Sequence, residues 1–273
     1  MNKFLIFLIL SGSSMAGTLL SNTGASFSNN EVSVKVASNT DCSNAGITKE
    51  EIIDMITPAI DNYWNLVSTS RLKLTNGKNL ETTDALYNTG RLCSDRSVEL
   101  KCEGLSNPIP KVTDILITCN SNTENYSVGN LAPSNVLAIT LPNNVSGSTF
   151  VGSVILINNT SESPFKDLTE AEKEAVISHE IGHAIGLGHS PNDGNLMFWT
   201  PTPKRFALGA DDVDALTYLY PKRFDACGIS GKINDESAGS SNQMWQMLLS
   251  MMSSLLIMIL FKEVFFKLRK TVL

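Results

Sequence analysis

HEIGHAIGLGHS, residues 179–190, holds every histidine of the 273-residue chain: His179, His183 and His189. His179 and His183 are four positions apart. On a helix their side chains leave one face about 40° apart, one turn from each other. Two imidazoles so placed can grip one metal ion. Gly186 comes next, and a helix can end at glycine because it takes left-handed backbone angles without a Cβ clash. The chain can then turn back and bring His189 to the same ion. Three neutral nitrogen ligands suit Zn²⁺ and leave its fourth position open, whereas a structural site would be closed by a fourth ligand. Glu180 follows the first ligand and points about 100° away from it. A carboxylate there can take a proton from water whose pKa the metal lowers to about 7.

Around this stretch the chain reads as α+β. LTEAEKEAVISHEIGHAIGL opens with Thr169 and has Glu172 three residues later, a capping box, and Ala175, Val176, Ile181 and Ile185 keep helical spacing. DDVDALTYLY (211–220) reads as a final helix with acidic residues in its first turn, where the helix dipole favours them. Upstream, ITKEEIIDMITPAIDNYWNLV puts Ile52, Ile53, Ile56, Ile60, Trp64 and Val67 on one helical face behind Thr48, with Pro58 expected to kink or break it. Strands are expected at 31–37, 71–75, 113–119, 135–141 and 150–158. Residues 76–110 read as irregular, and no internal repeat is visible. This order of elements suits a mixed sheet with helices.

Apolar segments mark both ends. MNKFLIFLIL followed by SGSSMAG reads as a signal peptide over residues 1–16, with cleavage before Gly17. Residues 17–29, rich in Ser, Asn and Gly, are expected to lack order, and the folded domain to span 30–225. Residues 226–243 read as a linker. The uncharged stretch 244–261, about 27 Å long as a helix, reads as a transmembrane segment. Lys262, Lys267, Arg269 and Lys270 in the tail 262–273 place that end on the cytoplasmic side. A competing reading takes the tail as a sorting signal that is cut off near Cys227. Net charge is −6, which argues against a general nucleic-acid partner. Five cysteines without a C-x-x-C pair give no cysteine metal site, and export permits disulfides.

The full pattern HExxHxxGxxH is far more specific than HExxH alone. With Ser190 after the third histidine and Met197 eight residues on in GNLMFW, the sequence resembles the metzincin metallopeptidases, and among them the matrixins. LGADDVDALTYLY is similar to the last helix of that catalytic domain, VLAITLP to its edge strand and GSVILIN to the strand after it. The resemblance spans about residues 30–222 and is weak before 110. It implies a zincin-like fold: a twisted five-stranded mixed sheet with an active-site helix and a C-terminal helix. It makes Met197 the Met-turn beneath the metal, and Leu137 and Ala138 part of the substrate-binding edge. It also implies that strands 31–37 and 113–119 are parallel neighbours, so that Cys42 and Cys119 can pair, leaving Cys93 with Cys102. Four cysteines allow three pairings.

Departures from the family are informative. Ile139 and Ile155 stand where its extracellular animal members carry histidines for a second, structural zinc. No cysteine-bearing propeptide motif is visible. Trp199 and Pro201 replace the Pro and Tyr that often follow the Met-turn. A structural calcium is not readable. The expectation is an exported, membrane-held zinc endopeptidase acting on proteins or peptides, with one catalytic Zn²⁺ and Glu180 as general base and then general acid. The alternatives are an inactive matrixin-fold binding or adhesion module, against which the intact Glu180 argues, and a zinc hydrolase of a non-peptide bond.

Overall fold

EVSVKV alternates as a half-buried strand should: Val32, Val34 and Val36 are buried, and Glu31 is exposed. In the computed structural model, which describes residues 19–20, 24–78, 85–92, 111–127, 131–199 and 205–222, this segment is one strand of a six-stranded sheet. The strands are β1 (Ser26–Phe27), β2 (Glu31–Val36), β3 (Lys73–Asn76), β4 (Asp114–Asn120), β5 (Ala138–Ser146) and β6 (Thr149–Asn158). The order is β1-β6-β4-β2-β3 with every pair parallel, and β5 adds antiparallel to β6. The expected mixed sheet is therefore present, with β1 added to the five expected strands.

β4 and β6 are apolar almost throughout because both of their faces are covered. Ile115, Ile117, Ile155 and Ile157 join the core that also holds Ile52, Ile56, Trp64 and Ile181. The alternate residues Leu116, Val154 and Leu156 join a second cluster with Tyr87, Leu92, Tyr126 and Val136. Tyr87 lies on the one-turn helix α2 (Leu86–Thr89), inside the stretch expected to be irregular.

The larger core is closed by α1 (Lys49–Asp61) and α3 (Glu170–Ala184). Both start in full capping boxes, Thr48 with Glu51 and Thr169 with Glu172. Pro58 neither breaks nor ends α1, which continues to Asp61. The helical face was expected to reach Val67. Instead Trp64 sits in a separate 3₁₀ turn, where its indole N–H donates to the Ser178 carbonyl at 2.9 Å. α4 (Ala210–Leu219) carries Asp211 and Asp212 in its first turn.

Cys42 and Cys119 form a disulfide with Cα atoms 5.3 Å apart. β2 and β4 are parallel neighbours, as that pairing requires. Cys93, Cys102, Cys227, the expected leader 1–16, the expected linker 226–243, the apolar stretch 244–261 and the basic residues 262–273 lie outside the described residues. Among the described residues no helix is long and apolar enough to cross a membrane.

The described part of 17–29 is ordered, against expectation. Leu19 bridges to Leu187, and β1 pairs with the first two residues of β6. Ala25 and Phe27 are buried, Phe27 meets the Phe150 ring edge-on, and its N–H donates to the Tyr220 hydroxyl. Two apolar residues at strand period, Ala25 and Phe27, outweigh the polar composition around them, because Phe27 meets partners distant in sequence, Phe150 of β6 and Tyr220 just after α4.

Asparagines finish the central strands. Asn120 and Asn158, opposite each other at the ends of β4 and β6, turn their amides into the loops above. The Asn120 amide donates to the Tyr87 carbonyl and accepts from Asn125, whose own carbonyl oxygen accepts from the Leu92 N–H. Asn158 donates to the carbonyls of Val136 and Pro133. Asn159 accepts from the Ala45 N–H and donates to the Asp41 carbonyl. Buried loop backbone needs such partners, since an unpaired polar group costs about 1–3 kcal/mol.

Candidate metal centre and active site

α3 carries His179, Glu180 and His183 and ends at Ala184. Gly186 then takes φ +106°, with no room for a Cβ against the Ala25 carbonyl, and the chain reverses toward His189. The ring nitrogens of the three histidines lie within 4.8 Å of one another. His183 Nε2 and His189 Nε2 are 3.1 Å apart. Two ligands of one tetrahedral zinc, each about 2.0–2.1 Å from it, sit roughly 3.3 Å apart. The donor set thus fits zinc in type and number, and the His183–His189 pair also in spacing.

Each helix histidine is held from behind. His179 Nδ1 lies 2.7 Å from the Leu196 carbonyl and His183 Nδ1 2.8 Å from the Leu187 carbonyl. A carbonyl can only accept, so each Nδ1 carries the proton and Nε2 keeps its lone pair for the ion. Burial pushes His179 down to about 4, with His189 and Arg205 adding to the effect and the Leu196 carbonyl opposing it. Burial and the other two histidines push His183 down as well. Both rings are therefore neutral near pH 7, the form that binds metal.

Met197 is buried, with its sulfur against Gly182 of α3. A Cβ on Gly182 would lie 2.4 Å from Met197 Sδ and 2.7 Å from the Trp64 ring, so the helix can pass over both only with glycine there. Asp212 holds the Met197 segment by its backbone. Its carboxylate accepts from the N–H groups of Leu196, Met197 and Gly209 at 2.7, 3.2 and 2.8 Å. Burial pushes its carboxyl up, and those three donors favour its anion. A relay results: Asp212 fixes Leu196, and the Leu196 carbonyl fixes His179. Beside it, Asp211 accepts from Ser190 and Asn192 at 2.6 Å and from Asn195 at 3.2 Å. The sequence reading assigned these two aspartates only to the helix dipole.

Glu180 is buried, and burial pushes its carboxyl up to about 7, opposed by a hydrogen bond from the Thr140 hydroxyl. Thr140 is a site residue that the sequence reading missed. A cavity of about 170 Å³ opens beside Glu180, His179 and His189. Leu137 and Ala138 line it, together with Val136, Phe198 and the exposed Trp199. Arg205 stacks on the Phe198 ring at 4.4 Å. Pro201 lies outside the described residues. Ile155 is buried in the core, and among the described residues only the three histidines form a group able to hold a metal.

Residues 111–221 match the family model described as matrixin. Matrix metalloproteinase-18 of Xenopus laevis is 48% identical over 50 residues, 17% of this chain and 11% of that protein. Matrix metalloproteinase-26 of Homo sapiens is 41% identical over 51 residues, 18% and 20% of the two chains. Metalloendoproteinase 5-MMP of Arabidopsis thaliana is 32% identical over 83 residues, 29% and 23%. The chain thus spans between about a tenth and a quarter of the length of these relatives.

Proposed function

We propose, from the matrixin-type metzincin catalytic domain that this chain carries, that the protein is a zinc-dependent endopeptidase. The observation behind this reading is the meeting, beside one cavity, of three imidazoles, two of them with anchored Nδ1 atoms, with a buried carboxylate and the edge of a strand. Zinc held by His179, His183 and His189 would supply Lewis-acid polarisation of the scissile carbonyl and a water nucleophile at neutral pH. Glu180 takes the proton of the attacking water and passes it to the leaving amine. The test is a random peptide library offered to the zinc-loaded chain, with sequencing of the released peptides. Cleavage should vanish with a chelator and return with zinc. A zinc-loaded chain that binds peptides and leaves them whole would instead be a binding module.

β5 supplies the substrate edge. The Leu137 carbonyl accepts from the Asn158 N–H, so Leu137 turns its backbone groups toward β6. Alternation along the strand then turns those of Ala138 away from β6, where an extended peptide can pair with them. Ala138→Pro removes one outward donor and spares the β5–β6 ladder, because proline is tolerated on the free side of an edge strand. The variant should fold, keep its zinc and raise KM about tenfold, the loss of one hydrogen bond to substrate. Unchanged kinetics would move the substrate elsewhere.

The leader and the apolar stretch 244–261 further support an enzyme exported and held at a membrane with its catalytic domain outside. Mass spectrometry of the native protein should find the apolar stretch 244–261 and the basic residues after it retained. A chain ending near Cys227 would sink the permanent anchor.

A further inference from the structure

Thr140 lies on β5 opposite Ile155 of β6, and its hydroxyl reaches α3. Two acceptors of Glu180 are within range: the backbone carbonyl at 3.1 Å and the carboxylate Oε2 at 2.6 Å. A hydroxyl has one proton to donate. The carboxylate is the closer acceptor and, when ionised, the stronger one. Thr140 lies inside the β5–β6 ladder, between Ile139 opposite Leu156 and Leu141 opposite Val154, and its branched side chain has little freedom at χ1. The hydroxyl is thus a rigid post, whereas a glutamate side chain left to itself can turn about three bonds.

We infer that Thr140 is a positioning residue for the reaction: it holds Glu180 by Oε2 and leaves Oε1 to receive the proton. This rests on the peptidase reading of the site. Holding the carboxylate in one orientation before substrate arrives removes a search that each turnover would otherwise include. It also puts substrate and base on one rigid element. Ala138, whose backbone would pair with the peptide, is two residues from the hydroxyl that sets the base. A peptide aligned on β5 is thereby aligned with Glu180.

The test is Thr140→Val, which keeps size and branching and removes only the hydroxyl, compared with Thr140→Ser, which restores it. Thr140→Val should lower kcat roughly tenfold or more, the loss of one hydrogen bond to a charged group. KM should stay within about twofold, and zinc should stay at one per chain. Thr140→Ser should recover most of kcat. Crystals of the zinc-loaded variants should show the Glu180 carboxylate turned away in Thr140→Val and back in place in Thr140→Ser. A Thr140→Val enzyme with wild-type kcat, a loss confined to KM, or a carboxylate that does not move would each overturn the inference. If the wild-type chain cleaves no peptide, the peptidase reading falls, and the crystal comparison alone decides whether Thr140 places Glu180.

Discussion

Glu180→Ala is expected to lower kcat/KM by roughly 10²–10⁴-fold while the chain still binds one zinc, the loss that goes with removing a general base. The two halves of that outcome have separate causes. Glu180 is not among the three imidazole donors, and those donors are fixed by the Leu196 and Leu187 carbonyls and by the turn at Gly186. Removing the carboxylate leaves each of these supports in place. Chemistry is lost because Glu180 sits beside the histidines at the cavity wall, where it would reach a water bound between them. Glu180→Gln makes the comparison sharper, since it keeps the shape and can still accept from Thr140 but cannot take a proton. Zinc content by metal analysis and initial rates on one peptide decide the matter. A variant that holds zinc and cleaves within tenfold of wild type would remove Glu180 from the role of base.

Deleting the Cys42–Cys119 disulfide should cost about 4.5 kcal/mol, on the loop-closure model for two residues 77 positions apart. A domain of ordinary stability has only about 5–15 kcal/mol in total. Both cysteines are buried in the main core, so Cys42→Ala with Cys119→Ala is the milder replacement, because it buries no new hydroxyl. The urea midpoint should fall steeply in that double variant, and by a similar amount in reduced wild type. A change below about 1 kcal/mol would mean that the sheet already confines this loop in the unfolded chain.

The histidine motif, the Thr169–Glu172 capping box and the apolar runs of β4 and β6 were legible because each depends on residues close together in the chain. The disulfide was legible only through the family resemblance, which made β2 and β4 neighbours. What escaped depends on partners far away in sequence. The end of α1 is set where Trp64 turns to Ser178, 114 residues on. Thr140 meets Glu180 across 40 residues, and nothing in VLAITLP distinguishes its hydroxyl from that of any other strand threonine. Asp212 looked like a helix-dipole residue because its other partners, Leu196 and Met197, lie on a loop without regular spacing. β1 is only two residues long and exists because β6 and Tyr220 receive it.

The asparagines that finish β4 and β6 bear on where this protein can be made. Asn125-Tyr126-Ser127, Asn158-Asn159-Thr160 and Asn159-Thr160-Ser161 are acceptor triplets for N-linked sugars. In the folded chain Asn125, Asn158 and Asn159 are buried, and each side-chain nitrogen donates to backbone or to another amide. A sugar attached during translocation, before folding, would take one of those donor protons and put a bulky polar group where Tyr126 and Ile157 pack. Production through a eukaryotic secretory pathway is therefore expected to give heavy, glycosylated chains that do not fold. Ser127→Ala with Thr160→Val and Ser161→Ala should remove the mass added at these buried asparagines and raise the folded yield, leaving only the half-buried Asn144 of Asn144-Val145-Ser146 as an acceptor. Full yield of native wild-type protein from such a host, with sugar on Asn158 or Asn159, would contradict this. Together with its disulfide, the fold suits a compartment that is oxidising and free of N-glycosylation.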